Sequence, residues 1–283
     1  MWNKEQSQDV GEGATAIQAG GNVTIKGLQF TEVRELCVLL LRDNFPRLRE
    51  EARQVAEEHV KQFAIQLEVK IADNLTSVVI DKFRDPDVQA AINDAVQSSA
   101  RKGDAANPDI LVALILKKMS ADCNSFKDIV FTEAVQVAPK LTREQISFLA
   151  FVLIMQIYVF CVDSWEQLER RYQLVEHLAA PGFDVSETQR QHIHYSGAAS
   201  VAGRNAVRPE YNMFEAMEIK YAEHGLHSFR SLMHEKAPTL VKLINQYKKL
   251  QGDSVALTSV GLAIVAAYLS SFGFVDMDLL ADK

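Results

Sequence analysis

From Ile146 to Val162 the chain runs for 17 residues without a charge. A helix that is apolar on every side cannot lie on a surface and must be enclosed by other elements or by lipid. The stretch is slightly short for a membrane span and carries Ser147 and Gln156. It therefore reads as a helix buried on all sides in the second half of the chain. Such a helix needs amphipathic neighbours around it, and the remaining sequence supplies them.

Thr31 reads as an N-cap for a helix from Glu32 to about Arg42 that buries Val33, Leu36, Cys37 and Leu40. Asp43-Asn44 is expected to open the next helix, with Phe45-Pro46 in its first turn. That helix, over residues 45–72, repeats Leu48, Ala52, Val55, Ala56, Val60, Phe63, Ala64, Leu67 and Ile71 at three- and four-residue steps. Its stripe suits a core, and it also suits packing against copies of itself; one stripe does not separate the two.

Asp85-Pro86 and Asn107-Pro108 each place an N-cap residue before a proline, starting helices over 86–101 and 108–120 with a loop at 101–106. Ser125 is expected to cap a helix ending near Pro139, and Thr142 with Gln145 has capping-box spacing. Residues 181–209 read as a surface loop, or a short helix and a loop, and helices follow over 210–224 and 227–250, the second broken at Pro238. A helix from Leu257 and an extended segment over 275–279 complete the chain. The fold class is mainly α, with a short N-terminal β-hairpin or β-arc. The regions are 1–28, a helical 29–140 and a helical 141–283. The Pro139 turn is short enough for the last two to form one domain.

That β-element is Gly13 to Ile25, where two short alternating runs flank Gly20-Gly21-Asn22. Gly and Asn tolerate the backbone of a tight turn. Two such strands are not stable alone in water. Copies of the chain are expected to supply the missing partners, through Ala16, Ile17, Gln18, Asn22, Val23, Thr24 and Ile25.

Lys and Arg number 17 in residues 1–140 and 13 in residues 141–283, against 21 and 16 Asp and Glu. Both halves are acidic, so a basic nucleic-acid footprint is disfavoured. Cys37, Cys123 and Cys161 are far apart and form no disulfide framework, which suits a reducing, cytoplasmic setting. The first 28 residues have no basic n-region and no apolar core of a signal peptide.

No glycine-rich phosphate loop, HExxH or GxSxG occurs, and no cofactor is expected. His192-x-His194, His224-x-x-His227 and His234 form the one histidine set that could hold a metal or serve a nuclease, with Arg190 or Arg204 on phosphate. Isolated histidine pairs are mostly surface residues, and no cysteine or carboxylate completes a ligand pattern. Glu166, Glu169, Arg170 and Arg171 read as a solvated face, and Asp276 and Asp278 as one wet side of an extended segment. A second uncharged stretch, Ser254 to Val275, is long enough to span a membrane but is diluted by serines and glycines.

Ala14-Thr15-Ala16-Ile17-Gln18-Ala19-Gly20-Gly21-Asn22-Val23-Thr24-Ile25 and Leu257-Thr258-Ser259-Val260-Gly261-Leu262-Ala263-Ile264, with the ending Asp276-Met277-Asp278-Leu279, resemble an uncharacterised family of bacterial helical proteins. The Leu141-Thr142-x-x-Gln145 helix start is similar to those of abortive-infection helical proteins. The resemblance implies a bacterial cytoplasmic protein in a phage-defence setting, and it implies no catalytic residues. The leading expectation is a non-enzymatic homo-oligomeric sensor or adaptor with a second protein of the same system as partner. The alternatives are a membrane-acting effector using residues 146–162 and 254–275 on activation, and a nuclease or metalloenzyme built on His192, His194, His224 and His227.

Overall fold

The computed structural model describes residues 30–44, 50–157, 160, 162, 164–201 and 225–274. Helix α1 (Phe30–Asn44) is followed by α2 (Glu50–Asp73), α3 (Pro86–Lys102), α4 (Pro108–Lys118), α5 (Ser125–Val137), α6 (Arg143–Ile157), α7 (Trp165–Ala179) and α8 (Glu187–Tyr195). Strand β1 (Ala199–Val201) follows, then α9 (Gly225–Lys236), α10 (Pro238–Lys249), strand β2 (Val255–Leu257) and α11 (Ser259–Ser270). The architecture is mainly helical, and the one sheet among the described residues is the antiparallel pair β1–β2, with Ser200 opposite Ala256.

Helix α6 is enclosed as its composition requires. Every residue from Gln145 to Met155 is buried. Helices α7, α8, α10 and α11, strand β2 and the 3-10 turn at 180–184 surround it. The two polar residues in the apolar run are satisfied internally. Ser147 Oγ donates to the Leu178 carbonyl at 2.6 Å, and Gln156 Nε2 donates to the Gly252 and Val255 carbonyls at 3.0 and 2.8 Å. Burying either group unpaired would cost about 1–3 kcal/mol.

Helix α11 is the second central helix and packs on α4, α5 and α6. One hydrophobic cluster therefore runs from α1 through α11 across position 140. The two uncharged stretches meet each other through these helices. α6 has 15 residues and α11 has 12. At the helical rise these are about 22 and 18 Å long, below the ~30 Å of a bilayer core. No helix among the described residues is long and apolar enough to cross a membrane.

Several local expectations are corrected. Asp43-Asn44 ends α1 rather than opening the next helix, and Phe45-Pro46 lies outside the described residues. Val55 and Ala52 are exposed rather than in the core, because α2 turns its Ala56–Val60–Phe63 side to α1 and α3. Leu36 and Leu40 of α1 are half-buried beside the buried Val33, Cys37 and Leu41. Residues 101–106 finish α3 and form a 3-10 turn instead of a loop. Asn124, not Ser125, caps α5, its side chain accepting the Lys127 N–H. Leu257 belongs to β2, and Thr258 caps α11. The Asp85 cap, the Thr142–Gln145 capping box and the break before Pro238 stand as read. Residues 1–28, 202–224 and 275–283 lie outside the described residues.

The Leu257-Thr258-Ser259-Val260-Gly261 segment has a steric reason for its composition. Thr258 N donates to the Ala198 carbonyl at 3.1 Å, and Thr258 Oγ1 donates to Gly197 O at 2.6 Å while accepting the Gly261 N–H. A Cβ at Gly261 would collide with the Ala198 carbonyl oxygen. Gly261→Ala is expected to destabilise the fold by about 1–3 kcal/mol through overpacking. Urea unfolding beside the exposed-surface control Ser270→Ala checks this, and equal midpoints for the two would contradict it.

Candidate functional site

The first turns of α4 and α6 lie together, joined by the turn at residues 138–142. Asn107 carries this junction. Asn107 is buried in the left-handed region at φ 57°, so its side chain does not cap α4. Its Nδ2 instead donates to the Ala138 and Leu141 carbonyls at 3.1 and 3.0 Å. Lys102 Nζ donates to the Pro139 carbonyl from the end of α3.

Beside the junction lies an open groove of about 860 Å³, lined by residues including Gln66, Asp104, Pro108, Lys140, Leu141 and Glu144. Two helix N-termini facing one groove would ordinarily favour an anion. Here Asp109 and Glu144 already sit in those first turns. Hydrogen bonding from the Thr142 side chain and its own backbone N–H holds the Glu144 carboxyl below the usual carboxylate range. Arg143 is tied to both oxygens of Asp109 at 2.9–3.0 Å and lies 4.6 Å over the Tyr268 ring. The groove therefore carries nearly balanced charge, and its arginine serves the fold.

The most constrained polar cluster sits at the other end of α4. Lys118 is 1% exposed, yet its Nζ meets Asp87 of α3 together with Asp128 and Thr132 of α5. Burial opposes the charge, but the bonds to Asp128 and Asp87 outweigh it and raise the Lys118 pKa. Asp87 is held below the usual carboxylate range, chiefly by its bond from Lys118. The ammonium stays charged and is a clamp for three helices, not a nucleophile. Sequence reasoning missed it, although Leu111, Leu114, Ile115 and Lys118 continue one buried face.

The assembly residues Ala16, Ile17, Gln18, Asn22, Val23, Thr24 and Ile25 lie outside the described residues, as do Cys161, Arg204, His224, Asp276 and Asp278. His192 and His194 diverge. Nδ1 of His192 lies 3.2 Å from Gln145 Nε2, and Nδ1 of His194 lies 3.2 Å from the Ala199 carbonyl oxygen. Alternate residues share a face on a strand but not on a helix, and α8 is a helix. Arg190 Nη1 donates to the Leu250 carbonyl. His227 lies in α9, and His234 is exposed on it. Among the described residues no group of three His, Cys, Asp or Glu could hold a metal ion. Burial pushes the Cys37 thiol up to about 12, which removes its nucleophilic form at neutral pH. Glu169 is not a free surface carboxylate. It accepts the Thr239 N–H at 3.1 Å and so caps the start of α10 from α7.

With this geometry established, comparison with known proteins adds one relation. A family model whose description reads ":-like" matches residues 27–227. The chain belongs to this family. The matched span covers α1 to α8 with β1 and reaches into α9. The segments 14–25 and 257–264 lie outside it. No curated protein and no solved structure matches the chain.

The Lys118 cluster sets a pH signature. Asp87 has a folded pKa below its unfolded value, so its contribution is present above about pH 4 and is lost as pH falls through the folded value. Lys118 has the opposite sign, with a contribution present below about pH 10 and lost as pH rises through its folded value. Lys118→Met is expected to cost about 1–3 kcal/mol at pH 7, limited because both carboxylates are partly solvated. It should also flatten the loss of stability below about pH 4. Thermal melts of both proteins from pH 3 to 8 check this, and parallel pH profiles would contradict it.

Proposed function

We propose that this chain is a non-enzymatic, homo-oligomeric sensor or adaptor of bacterial anti-phage defence, acting in the cytoplasm with a second protein of the same system. The observation that carries the non-enzymatic part is the commitment of the described polar clusters to helix joining. Lys118 clamps α3 to α5, Arg143 is held by Asp109 and Tyr268, and Glu169 caps α10. A catalytic group needs a reacting atom within reach and a pKa tuned to its task. The charged lysine and bound arginine here have protein partners in those places.

The assembly part rests on the sequence of the segment from Gly13 to Ile25, whose two alternating runs around Gly20-Gly21-Asn22 read as a strand pair too short to be stable alone in water. The defence setting rests on the resemblance of that segment and of residues 257–264 to bacterial helical proteins. The groove beside Asn107 gives a partner protein an open, polar-rimmed surface next to rigid helix starts. A membrane-acting reading would require α6 and α11 to leave the core, abandoning the internal bonds of Ser147, Gln156 and Tyr268.

Deletion of residues 1–28 is expected to lower the solution mass, measured by light scattering after size exclusion, while far-UV circular dichroism stays helical. An unchanged mass would remove the assembly role from that segment, and a monomeric full-length chain would remove the oligomer itself.

A further inference from the structure

Helix α8 has a thin apolar attachment to the body, since Ile193 is its one buried residue. Polar joints add to it. Arg190 Nη1 donates to the Leu250 carbonyl at 2.7 Å. Gln145 of α6, itself 2% exposed, reaches α8 twice. Its Nε2 lies 2.9 Å from the Gln189 carbonyl oxygen and 3.2 Å from His192 Nδ1.

Backbone groups fix which way this amide points. Gln145 Oε1 accepts the Thr142 N–H at 3.0 Å, closing the capping box of α6. A backbone N–H only donates and a carbonyl only accepts, so Oε1 belongs at Thr142 and Nε2 at Gln189. The second Nε2–H is then aimed at His192 Nδ1, and that nitrogen has to accept. Only a neutral ring with its proton on Nε2 can do so. A second proton on the ring sets N–H against N–H. Turning the ring exchanges Nδ1 for a carbon, and turning the amide sacrifices the Thr142 and Gln189 bonds. Neither restores the contact.

The neighbouring His194 and the distant His59 behave differently. Their Nδ1 atoms face the carbonyl oxygens of Ala199 and Ala100 at 3.2 and 3.3 Å. Both nitrogens donate, and a donor stays a donor when the ring gains charge. The charged groups on the elements packed around His192 are already engaged. Arg143 is bound to Asp109, Glu144 accepts from Thr142 and Arg190 pairs with Glu187, while β1 has no charged residue. The Tyr195 ring lies 6.4 Å away. Two influences on the His192 ring therefore oppose each other. The Gln145 amide favours the neutral form, and the last turn of α8, where His192 sits, favours the cation.

We propose that the Gln145–His192 contact is a pH-sensitive latch, holding α8 to the start of α6 while the imidazole is neutral and releasing it when the ring takes a second proton. Imidazole changes charge between about pH 5 and 8. The bond needs the neutral ring, so its contribution is present at higher pH and is lost on acidification. Strand β1 follows α8 directly, so release reaches the β1–β2 pair. The latch is independent of the assembly reading.

The test is hydrogen exchange of the full-length chain at about pH 7.5 and 5.5, spanning the imidazole range and corrected for the intrinsic pH dependence of exchange. Amides of α8 are expected to exchange about three- to tenfold faster at the lower pH, the factor one net hydrogen bond is worth. His192→Asn places an amide oxygen near the position of Nδ1 without a titrating group, and it is expected to abolish the difference. His194→Asn keeps a donor toward Ala199 and is expected to retain it. No change in the wild type, or the same change in His192→Asn, overturns the latch. Loss of the response in His194→Asn overturns its assignment to His192. Should Asn at position 192 leave α8 unprotected at both pH values, the wild-type ring decides. Its ¹⁵N spectrum at about pH 7.5 is expected to show the proton on Nε2, and a neutral ring protonated on Nδ1 overturns the latch.

Discussion

Enclosure of α6 is the constraint on which the rest depends. A helix apolar on every side has no wet face, so its free energy falls only when neighbours cover its whole circumference. The chain meets this by wrapping α7, α8, α10, α11 and the 180–184 turn around it. Close approach is needed on every side. Gly182 lets the turn rest on the backbone at Phe148, where a Cβ would collide. The same enclosure explains why α11 lacks charge, since it faces α6 on one side and α4 and α5 on the other.

Around that centre, polar side chains act as joints between helices. Asn107 ties the start of α4 to the turn before α6, Lys118 ties α4 to α3 and α5, and Glu169 ties α7 to α10. Each satisfies groups that hydrophobic packing alone would leave costly, such as orphan helix-end N–H groups or a turn carbonyl. The result is a body whose inner polar groups are satisfied at these joints, while Val55, Ile65 and Val69 of α2 stay exposed on its outside.

Much of the local structure was legible because short-range chemistry sets it. Asp85-Pro86, Thr142 with Gln145, and Pro238 mark helix boundaries by capping and by the missing proline N–H, and these depend on a few neighbouring residues. The errors came where distant residues decided. Asn107 has the composition of an N-cap but is drawn into the left-handed region by carbonyls at Ala138 and Leu141. Glu169 looked like one more solvated acid until α10 was folded against α7. His192 and His194 could be aimed together only by a strand, and α8 is a helix.

The sequence by itself determined that the chain is mainly helical, that the uncharged run from Ile146 is enclosed, as it is through Met155, and that helices begin at Pro86, Pro108, Arg143 and Pro238. Periodicity and capping are local, and an uncharged helix has few places to go. Only the tertiary structure decided which apolar positions of α2 face inward. Val55 and Val60 are equally hydrophobic in the sequence, yet Val55 is exposed and Val60 is buried. A helix with apolar residues on two sides can bury either, and the choice belongs to the neighbours that dock on it. Tertiary structure likewise turned Lys118 from the end of a basic pair into a buried clamp, because its two carboxylates come from helices 31 and 10 residues away in the chain.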